Sequence, residues 1–413
     1  MKKNTHNRAF LLLVLSLTTL MGHSQTQKQR VNKTIGHAET FVQKIARGHF
    51  DSTYVALPAH KWMVFVSGNG NYSKYRLKVP MPDHGGEWQQ AMVERYPLLK
   101  DEDVYTYDMN LHNSTQSVSI GLAYQTLRAK YTFNVSKGND RQLSIESLGS
   151  RFGFFLDYRH TKRMKGDMYD ATVGFETYFD NIIDGNELTK DQIIQKGTFP
   201  VNSTYNNYTL FHAQAHYVFN SKRFSYSAGR SASRIQLKSA GSPIALVDFY
   251  QSRAKFDRDF IIGENEKFKT WKVSVGGGYG YNWTPNAGKV LLHASVMPTV
   301  TLISHSKHTT DVPLTVDAQK KYHERNNLPY SDDQLEEAVE NHKKSLSQVN
   351  DMVDATPKIT LNCTARLAAT WNINSHYVLG AYGTYLYSHF ANKEDYRINE
   401  HYVSGSVYLG YRF

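Results

Sequence analysis

The residues of this chain whose types and spacing suggest chemistry are charged side chains on the polar side of alternating apolar and polar segments. If these segments are strands of a membrane barrel, the polar sides face the lumen, because Arg or Lys facing lipid costs about 2 to 4 kcal/mol at the midplane. The set assigned to the lumen on this basis is Arg128, Lys130, Arg151, Asp157, Arg159, Arg234, Lys238, Lys272 and Arg366. All of them except Asp157 are basic, so the sequence predicts a lumen with an excess of positive charge.

Such a lining has two interpretations, and both require the side chains to point inward. Uncompensated positive charge in a narrow, low-dielectric channel favours anions, because the walls concentrate the field of the lining groups. Alternatively, a few acids neutralise these groups and a packed polar network fills a small barrel. We therefore expect anion preference if the barrel conducts, and a scaffold for its loops if it does not.

Catalytic and metal chemistry have weaker support in the sequence. The chain contains 18 His and many Ser, but no spacing singles out a Ser, His and acid triad, which is recognised by geometry and not by sequence position. A membrane-lipid hydrolase therefore stays the alternative function. His212 and His216 share one face of a predicted strand, about 13 Å apart at the strand rise, too far to bind one metal ion. We predict solvated lumen histidines, and no metal or cofactor.

Two other features have structural explanations. The run Gly276 to Gly280 superficially suggests a phosphate-binding loop, but it lacks the strand, turn and helix that such loops need. Glycines also fit a strand face that bulky groups cannot enter, so we assign the run to the barrel wall. The single cysteine, Cys363, excludes an intramolecular disulfide framework and a cysteine-based metal cluster.

The last segment of the chain indicates which elements position these groups. Its apolar residues, Val403, Val407, Leu409, Tyr411 and Phe413, alternate with Ser404, Ser406, Gly410 and Arg412. This is the two-residue period of a strand with one apolar face. A transmembrane barrel pairs its last strand with its first, so a sequence that stops inside a strand favours a closed barrel. We expect Tyr411 and Phe413 to act as a C-terminal assembly signal.

The same alternation recurs along the chain and predicts an all-β protein, a transmembrane antiparallel up-and-down β-barrel of about 12 strands, within a range of roughly 10 to 14. The predicted strands cover residues 61–67, 72–79, 116–124, 127–135, 141–148, 151–160, 172–179, 205–219, 224–237, 244–251, 270–283, 290–302, 360–374, 377–390 and 396–413. The first two form a predicted hairpin around Gly68 to Asn71. The assignment of Arg234 and Lys238 to the lumen depends on the strand at 224–237.

Counting strands backwards from a periplasmic Phe413 makes residues 307–357 a long external loop. Within it, residues 330–355 have a helical pattern, and Ser331 and Gln334 suit a capping box. This helix is either solvated or a lid over the mouth. The same count places the long 181–203 connection in the periplasm and the short Asn220 turn outside, against the usual asymmetry. Either a strand is miscounted there or that segment packs inside the barrel.

The N-terminal region predicts export. Lys2, Lys3 and Arg8 precede an apolar run at 9–21 and the small residues before Gln25, as in a secretory signal peptide. We predict a signal peptide at 1–24, cleaved after Ser24, a periplasmic segment at 25–50 with a short helix or a solvated linker, and the barrel at 51–413. The location is then the outer membrane, and a secreted soluble β-protein is the runner-up. The expected partners are outer-membrane lipids and the barrel assembly machinery, with no nucleic acid and no identified ligand.

Several stretches resemble a known family. They are Asp51 to Val55, residues 143–159, Arg223 to Tyr226, Gln236 to Ser242, and Gly278 to Trp283. Together they are similar to an uncharacterised Bacteroidetes family of outer-membrane-type β-barrels, a domain of unknown function, over most of the chain from about Phe50. The resemblance implies the architecture only, because the family supplies no reaction, ligand or catalytic residue.

Overall fold

A computed structural model describes residues 50–80, 106–135, 140–169, 188–201, 206–257, 265–310, 315–325 and 329–413. The strands are β1 (Val55–Ala56), β2 (Trp62–Pro80), β3 (Thr106–Tyr124), β4 (Leu127–Asn134), β5 (Arg141–Leu148), β6 (Phe152–Lys162), β7 (Lys165–Tyr169), β8 (Thr198–Val201), β9 (Asn207–Val218), β10 (Ile235–Gln236), β11 (Ala240–Asp257), β12 (Asn265–Asn286), β13 (Val290–Thr310), β14 (Leu361–Asn372), β15 (Tyr377–Ala391) and β16 (Arg397–Arg412). The helices are α1 (Lys190–Lys196), α2 (Tyr226–Ser231), α3 (Val316–Arg325) and α4 (Asp332–Val353). None of the helices in these ranges is both long enough and apolar enough to cross a membrane.

Twelve antiparallel strands form a closed barrel, as the alternation predicted. The order around the wall is β2, β16, β15, β14, β13, β12, β11, β9, β6, β5, β4 and β3, and β3 pairs with β2 to close the ring. The last strand, β16, pairs with the first wall strand, β2, and Arg412 lies opposite Met63 at one end of the wall. We call this the turn end, because short connections lie there, and the opposite end the loop end. The β7 and β8 hairpin extends the wall at the loop end, where β7 pairs with Asp108 to His112 of β3.

The ring of wall strands differs from the prediction in two places within the described residues. Residues 61–67 and 72–79 belong to one strand, β2, and not to a hairpin. Gly68 to Asn71 stay in register with both neighbouring strands, and Asn69 donates to the Ser119 hydroxyl at 2.8 Å. Residues 224–237 form no wall strand, because they fold into α2 and β10 inside the ring. The predicted strand at 172–179 lies outside the described residues.

These corrections explain the connection that broke the predicted asymmetry. With 224–237 removed from the wall, the segment between β9 and β11 joins two strands at the turn end. The long connection before β9 then lies at the loop end. A strand was miscounted, and the miscounted segment packs inside the barrel.

The inner face changes character along the barrel, and β2 shows the sequence of layers. Met63 and Phe65 are apolar at the turn end, a polar stretch follows, and Tyr75, Leu77 and Val79 join a buried apolar cluster at the loop end. The outer face runs the other way, since apolar positions at the turn end give way to charged ones toward the loop end. The polar part of the interior therefore lies behind the apolar outer belt, and the apolar core lies behind the charged outer rim.

The glycine run of 276–280 lies in β12, as the sequence predicted. A Cβ atom at Gly276 or Gly278 would overlap the carbonyl oxygen of Pro298 or Val296 on the neighbouring strand. Glycine is therefore required here by the close approach of two wall strands, and the run is not a phosphate-binding loop.

The predicted helical insertion consists of two helices, α3 and α4, between β13 and β14. The capping box at its second helix is present: the Gln334 side chain accepts from the Ser331 amide at 3.2 Å, and the Ser331 hydroxyl accepts from the Gln334 amide at 3.3 Å. At the other end of α4, Val353 is buried in the loop-end cluster, and His308 of β13 contacts the Asn350 side chain at 2.9 Å. The end of α4 thus packs over the loop end. The predicted signal peptide and N-terminal helix lie outside the described residues.

Candidate functional site

The segment between β9 and β11 enters the barrel from the turn end. We call residues 224–236 the plug. Ser225 caps the helix by accepting from the Ala228 amide at 3.2 Å, and every residue of α2 is buried. Phe224 and Tyr226 pack in an apolar cluster with side chains from β5, β9, β11 and β13. A run of small residues in the plug, including Gly229, lets the backbone approach the wall, because a Cβ there would overlap the His293 ring.

Gln236 fixes the end of the plug through its side-chain amide. Its oxygen accepts from the Ser225 amide and from the Asn282 side chain, both at 2.9 Å. Its nitrogen donates to the carbonyl oxygens of Arg223 at 2.6 Å and Lys238 at 2.8 Å. One buried side chain therefore joins both ends of the plug to each other and to β12, which makes the plug an ordered part of the barrel.

Three arginines of the wall bind the carbonyl groups at the C-terminal end of α2. Arg366 donates to the Arg230 carbonyl oxygen at 3.0 Å, and Arg128 lies 3.5 Å from the same oxygen. Arg412 donates to the Ala232 carbonyl oxygen at 3.0 Å. Carbonyl groups at a helix C-terminus carry partial negative charge and lack partners within the helix, so cations stabilise them.

A polar cavity of about 80 Å³ lies between the plug and the loop-end cluster. We call it the chamber. Its cationic lining residues are Arg128, Lys130, Arg159, Arg230 and Arg366, and its lining also includes Glu146, His212, Gln214 and Tyr382. Four of the cations come from the wall and Arg230 comes from the plug. Wall and plug therefore build the chamber together.

Aromatic rings orient the chamber's cations. The guanidinium carbon of Arg159 lies 3.5 Å from the ring centre of Tyr402. The guanidinium carbon of Arg230 lies 4.3 Å from the ring centre of Phe155, and that of Arg366 lies 4.3 Å from the ring centre of Tyr382. Lys130 donates to the Tyr382 hydroxyl at 3.0 Å. Stacking on an aromatic face fixes a guanidinium without cancelling its charge.

Carboxylates compensate only part of this charge. Glu146 accepts from Arg230 at 2.9 Å and lies 3.9 Å from Arg128. Asp157 forms an ion pair with Arg159 and accepts from the Ser144 hydroxyl at 2.6 Å. Within the described part of the chain, neither Lys130 nor Arg366 has a carboxylate oxygen at ion-pair distance. The chamber therefore keeps an excess of positive charge.

The sequence predicted that His212 and His216 are solvated lumen residues. Both face the interior, but both are buried. His212 lies 2.5 Å from Asp248, and His216 packs edge-on against the Tyr226 ring of the plug at 4.9 Å. Among the described residues, no group of three or more His, Cys, Asp or Glu side chains is placed to hold a metal ion.

The structure places most of the predicted lumen charges on the inner face. Arg128, Lys130, Arg159 and Arg366 line the chamber, and Asp157 is buried beside Arg159. Lys272 is buried nearer the loop end, where its ammonium donates to Asn362 and Ser388 at 2.6 Å each and to the His389 carbonyl oxygen at 3.1 Å. The chamber thus collects predicted charges from three wall strands, β4, β6 and β14.

Three of the predicted residues are placed differently. Arg151 and Lys238 are exposed at the turn end and do not line the lumen. Arg151 precedes β6 and lies in its turn, and Lys238 follows the plug and not a wall strand. Arg234 is buried, but on the plug, with its guanidinium 5.1 Å from the Phe50 ring centre.

The sequence reasoning also missed three members of the site: Glu146, Arg230 and Arg412. Glu146 and Arg412 lie on the polar phase of predicted strands, so their phase was a usable signal. Arg230 lies in Ser-Ala-Gly-Arg-Ser-Ala-Ser, and this run of small residues was the available indication of a tightly packed, non-strand segment.

Residues 50–413 match a family described as a domain of unknown function, DUF4421. No curated protein sequence matches the chain significantly. Among solved structures, the outer membrane protease OmpT from Escherichia coli matches at 8% identity and a TM-score of 0.34, covering 86% of this chain and 97% of that one.

Two other outer-membrane structures are similar at the same level. The translocator domain of the autotransporter NalP from Neisseria meningitidis matches at 11% identity and a TM-score of 0.32, covering 92% and 98% of the two chains. The toluene transporter TodX of P. putida matches at 7% identity and a TM-score of 0.28, covering 86% and 91%. Neither the identities nor the TM-scores support the transfer of an activity to this chain.

Proposed function

The chain belongs to the DUF4421 family, a domain of unknown function, and from its geometry we propose that it is a sealed outer-membrane barrel that binds small anions. The observation that carries the proposal is the chamber, in which five cations surround a cavity that is closed on two sides. A structural role as a scaffold for the loops is compatible with the same architecture.

The outer wall supports membrane insertion. Large apolar side chains are exposed on the outer face of several strands. Those that are more than half exposed include Val66, Ile120, Tyr279, Trp283, Val296, Leu367 and Val407. A continuous apolar belt of this kind is unfavourable in water and is what lipid requires. A closed ring also satisfies the backbone groups of every wall strand in the absence of water.

Export and assembly complete the proposal. The signal peptide at 1–24 directs the chain across the inner membrane, and the barrel assembly machinery inserts it beside outer-membrane lipids. We assign Tyr411 and Phe413 the role of the assembly signal, because both rings are exposed on the outer face at the end of the last strand.

The barrel is sealed at two levels. The plug fills the turn end, and the loop-end cluster, which includes Tyr75, Phe268, Phe390 and Tyr396, fills the interior at the other end. A narrow pore is the second form of the proposal, and it requires the plug to move. In that state we expect chloride to be preferred over potassium, with the reversal potential moving toward neutrality when Arg366 and Lys272 become Gln.

Electrophoresis with and without boiling tests membrane insertion. A folded barrel is expected to migrate differently before heating and to stay with membranes during carbonate extraction. Identical migration in both lanes, together with release by carbonate or salt, would instead indicate a secreted soluble β-protein.

The proposal assigns no catalysis to the chain. Purified protein incubated with phospholipid and lipopolysaccharide is therefore expected to release no acyl chains above a boiled control. Acyl release that a single Ser or His substitution abolishes would replace the binding function with that of a lipid hydrolase.

A further inference from the structure

We propose that the chamber binds a tetrahedral oxyanion of the phosphate class and that this anion clamps the plug to the barrel wall. The inference rests on the proposed function, since it names the class of anion that the sealed barrel binds. It is carried by the charge balance of the chamber, by the support of its cations and by the origin of Arg230.

The charge balance requires a multivalent anion. Five cations line the chamber, and two carboxylates, Glu146 and Asp157, pair with them, which leaves an excess of three positive charges. Asp248 contacts the lining residue His212 at 2.5 Å, and counting its charge as well still leaves two positive charges. Buried charges without partners are strongly unfavourable, so a bound anion with more than one negative charge stabilises this arrangement.

The donors of the chamber are incompletely used. The Nε atom of Arg366, a residue that is 9% exposed, and the Nη1 atom of Arg159 are buried without a hydrogen-bond partner. Both residues line the chamber. Guanidinium groups with free donors on fixed stems match the oxygens of a tetrahedral oxyanion, which accepts several charge-assisted hydrogen bonds at once.

The size of the chamber limits the ligand. Each water molecule needs about 15 Å³ of such volume, so a cavity of about 80 Å³ holds about five waters. Inorganic phosphate has five heavy atoms and fits this space. A phosphate that carries a glycerol or lipid group exceeds it, so we commit to the free oxyanion.

The anion can clamp the plug because the cations that line the chamber come from both the plug and the wall. Arg230 belongs to the plug, whereas Lys130, Arg159 and Arg366 belong to the wall. An anion in the chamber therefore bridges the two parts, and the site is incomplete when the plug leaves. Because ligand binding stabilises the state that forms the site, the anion holds the plug in place.

Binding of inorganic phosphate tests the first part. The full chain is refolded in detergent with radiolabelled phosphate and dialysed to equilibrium at constant ionic strength. We expect saturable binding of one phosphate per chain, with competition by sulfate and much weaker competition by chloride. Glycerol 3-phosphate is expected to compete poorly, and equal competition by it would assign the site to a lipid headgroup and overturn the free-anion inference.

Matched substitutions locate the site. Arg366→Gln and Lys130→Gln are expected to weaken phosphate binding by about tenfold or more, as the loss of a charge-assisted hydrogen bond predicts. Arg151→Gln makes the same chemical change at an exposed position and is expected to leave binding unchanged. Arg366→Lys, which keeps the charge, is expected to retain part of the affinity and shows that a weakened Gln variant has lost a ligand contact and not its fold.

Thiol labelling tests the clamp. In a Cys363→Ser background, Ser231→Cys places the only thiol on a fully buried plug position. Phosphate is expected to slow its reaction with a water-soluble maleimide, and Arg230→Gln is expected to abolish that effect. If phosphate binds but the labelling rate does not change with phosphate, the anion does not clamp the plug and this part of the inference is wrong.

Heat-modifiable migration of each sample separates the possible failures. A sample that does not shift on boiling contradicts the barrel function itself. A sample that shifts but binds no phosphate, or that loses binding equally in Arg151→Gln and Arg366→Gln, overturns the chamber inference and leaves the barrel function intact.

Discussion

At the scale of single residues, contacts across the lumen hold the plug in one position. Gly229 faces the His293 ring, which itself contacts the Asn282 side chain at 2.7 Å and the Ser295 hydroxyl at 3.1 Å. His293 is therefore held on two sides and has little freedom to move away from the plug. The fit between Gly229 and His293 makes this pair a sensitive point of the fold.

Gly229→Ala is expected to destabilise the folded barrel by about 1 to 3 kcal/mol, because the added methyl group overpacks the contact with His293. The free energy of unfolding in urea, followed by the loss of heat-modifiable migration, measures the change. A double-mutant cycle with His293→Ala provides the control. Additive effects of the two substitutions would show that the residues do not interact.

Strand phase gives the side on which a wall residue points. Lys130 and Arg366 face inward because each lies on a regular wall strand, and alternation fixes the side on which a side chain points. Arg151 and Lys238 lie beyond the ends of wall strands, where the two-residue period no longer applies. Which of the inward charges share one cavity depends on the ring order, and no local pattern contains that information.

At the scale of elements, the plug is the part of the barrel that sequence periodicity did not identify. Residues 224–237 alternate well enough to resemble a strand, but Gln236 and the small residues around Gly229 form contacts only in the interior. The predicted helix at 330–355 was easier to identify, because its capping box and apolar stripe are local features. Tertiary packing therefore determines the conformation of the plug, whereas local sequence determines the helix in the loop.

Gln236→Ala is expected to loosen the plug, because it removes the side-chain bonds that join both plug ends to β12. In the Ser231→Cys, Cys363→Ser background, the maleimide reaction is expected to become at least about tenfold faster, as the loss of 1 to 2 net hydrogen bonds predicts. Lys238→Cys is exposed already and serves as the control whose rate stays constant. Equal rates for Ser231→Cys with and without Gln236 would mean that other contacts hold the plug.

The side chains of Lys358, Asp395 and Arg397 form a pH-dependent cluster at the loop end, which we call the clasp. Asp395, between β15 and β16, accepts from Lys358 at 2.9 Å and from Arg397 at 3.1 Å, and these hydrogen bonds hold the pKa of its carboxyl below the ordinary value. Because the pKa is lowered in the folded state, these bonds stabilise the loop fully above the unfolded pKa of about 3.9, and this stabilisation is lost as the pH falls through the folded pKa.

Hydrogen exchange of the loop between β15 and β16 checks this prediction. Protection is expected to fall as the pH drops from about 4 through the lowered pKa of Asp395 in the unmodified chain. Asp395→Asn is expected to show the lower protection already at neutral pH and no further change on acidification. Equal protection of the unmodified loop and the Asp395→Asn loop at neutral pH would show that the clasp contributes nothing.

At the scale of the whole molecule, the barrel combines two kinds of interior. Behind the apolar outer belt the interior is polar and charged, and toward the loop end an apolar core lies behind a charged outer surface. The closed ring was predictable, because only closure satisfies the edges of amphipathic strands in a membrane. The sealing of the interior was left open by the sequence, since a lumen lined with charges fits both a pore and a packed network.

We propose that the plug and the loop-end cluster together seal this barrel. The most direct test is the conductance of the purified, heat-modifiable protein in a planar lipid bilayer. The structure predicts insertion without a steady ionic current, with at most brief openings that prefer chloride over potassium. A steady current in most insertions, or a clear preference for potassium, would contradict the sealed cationic interior.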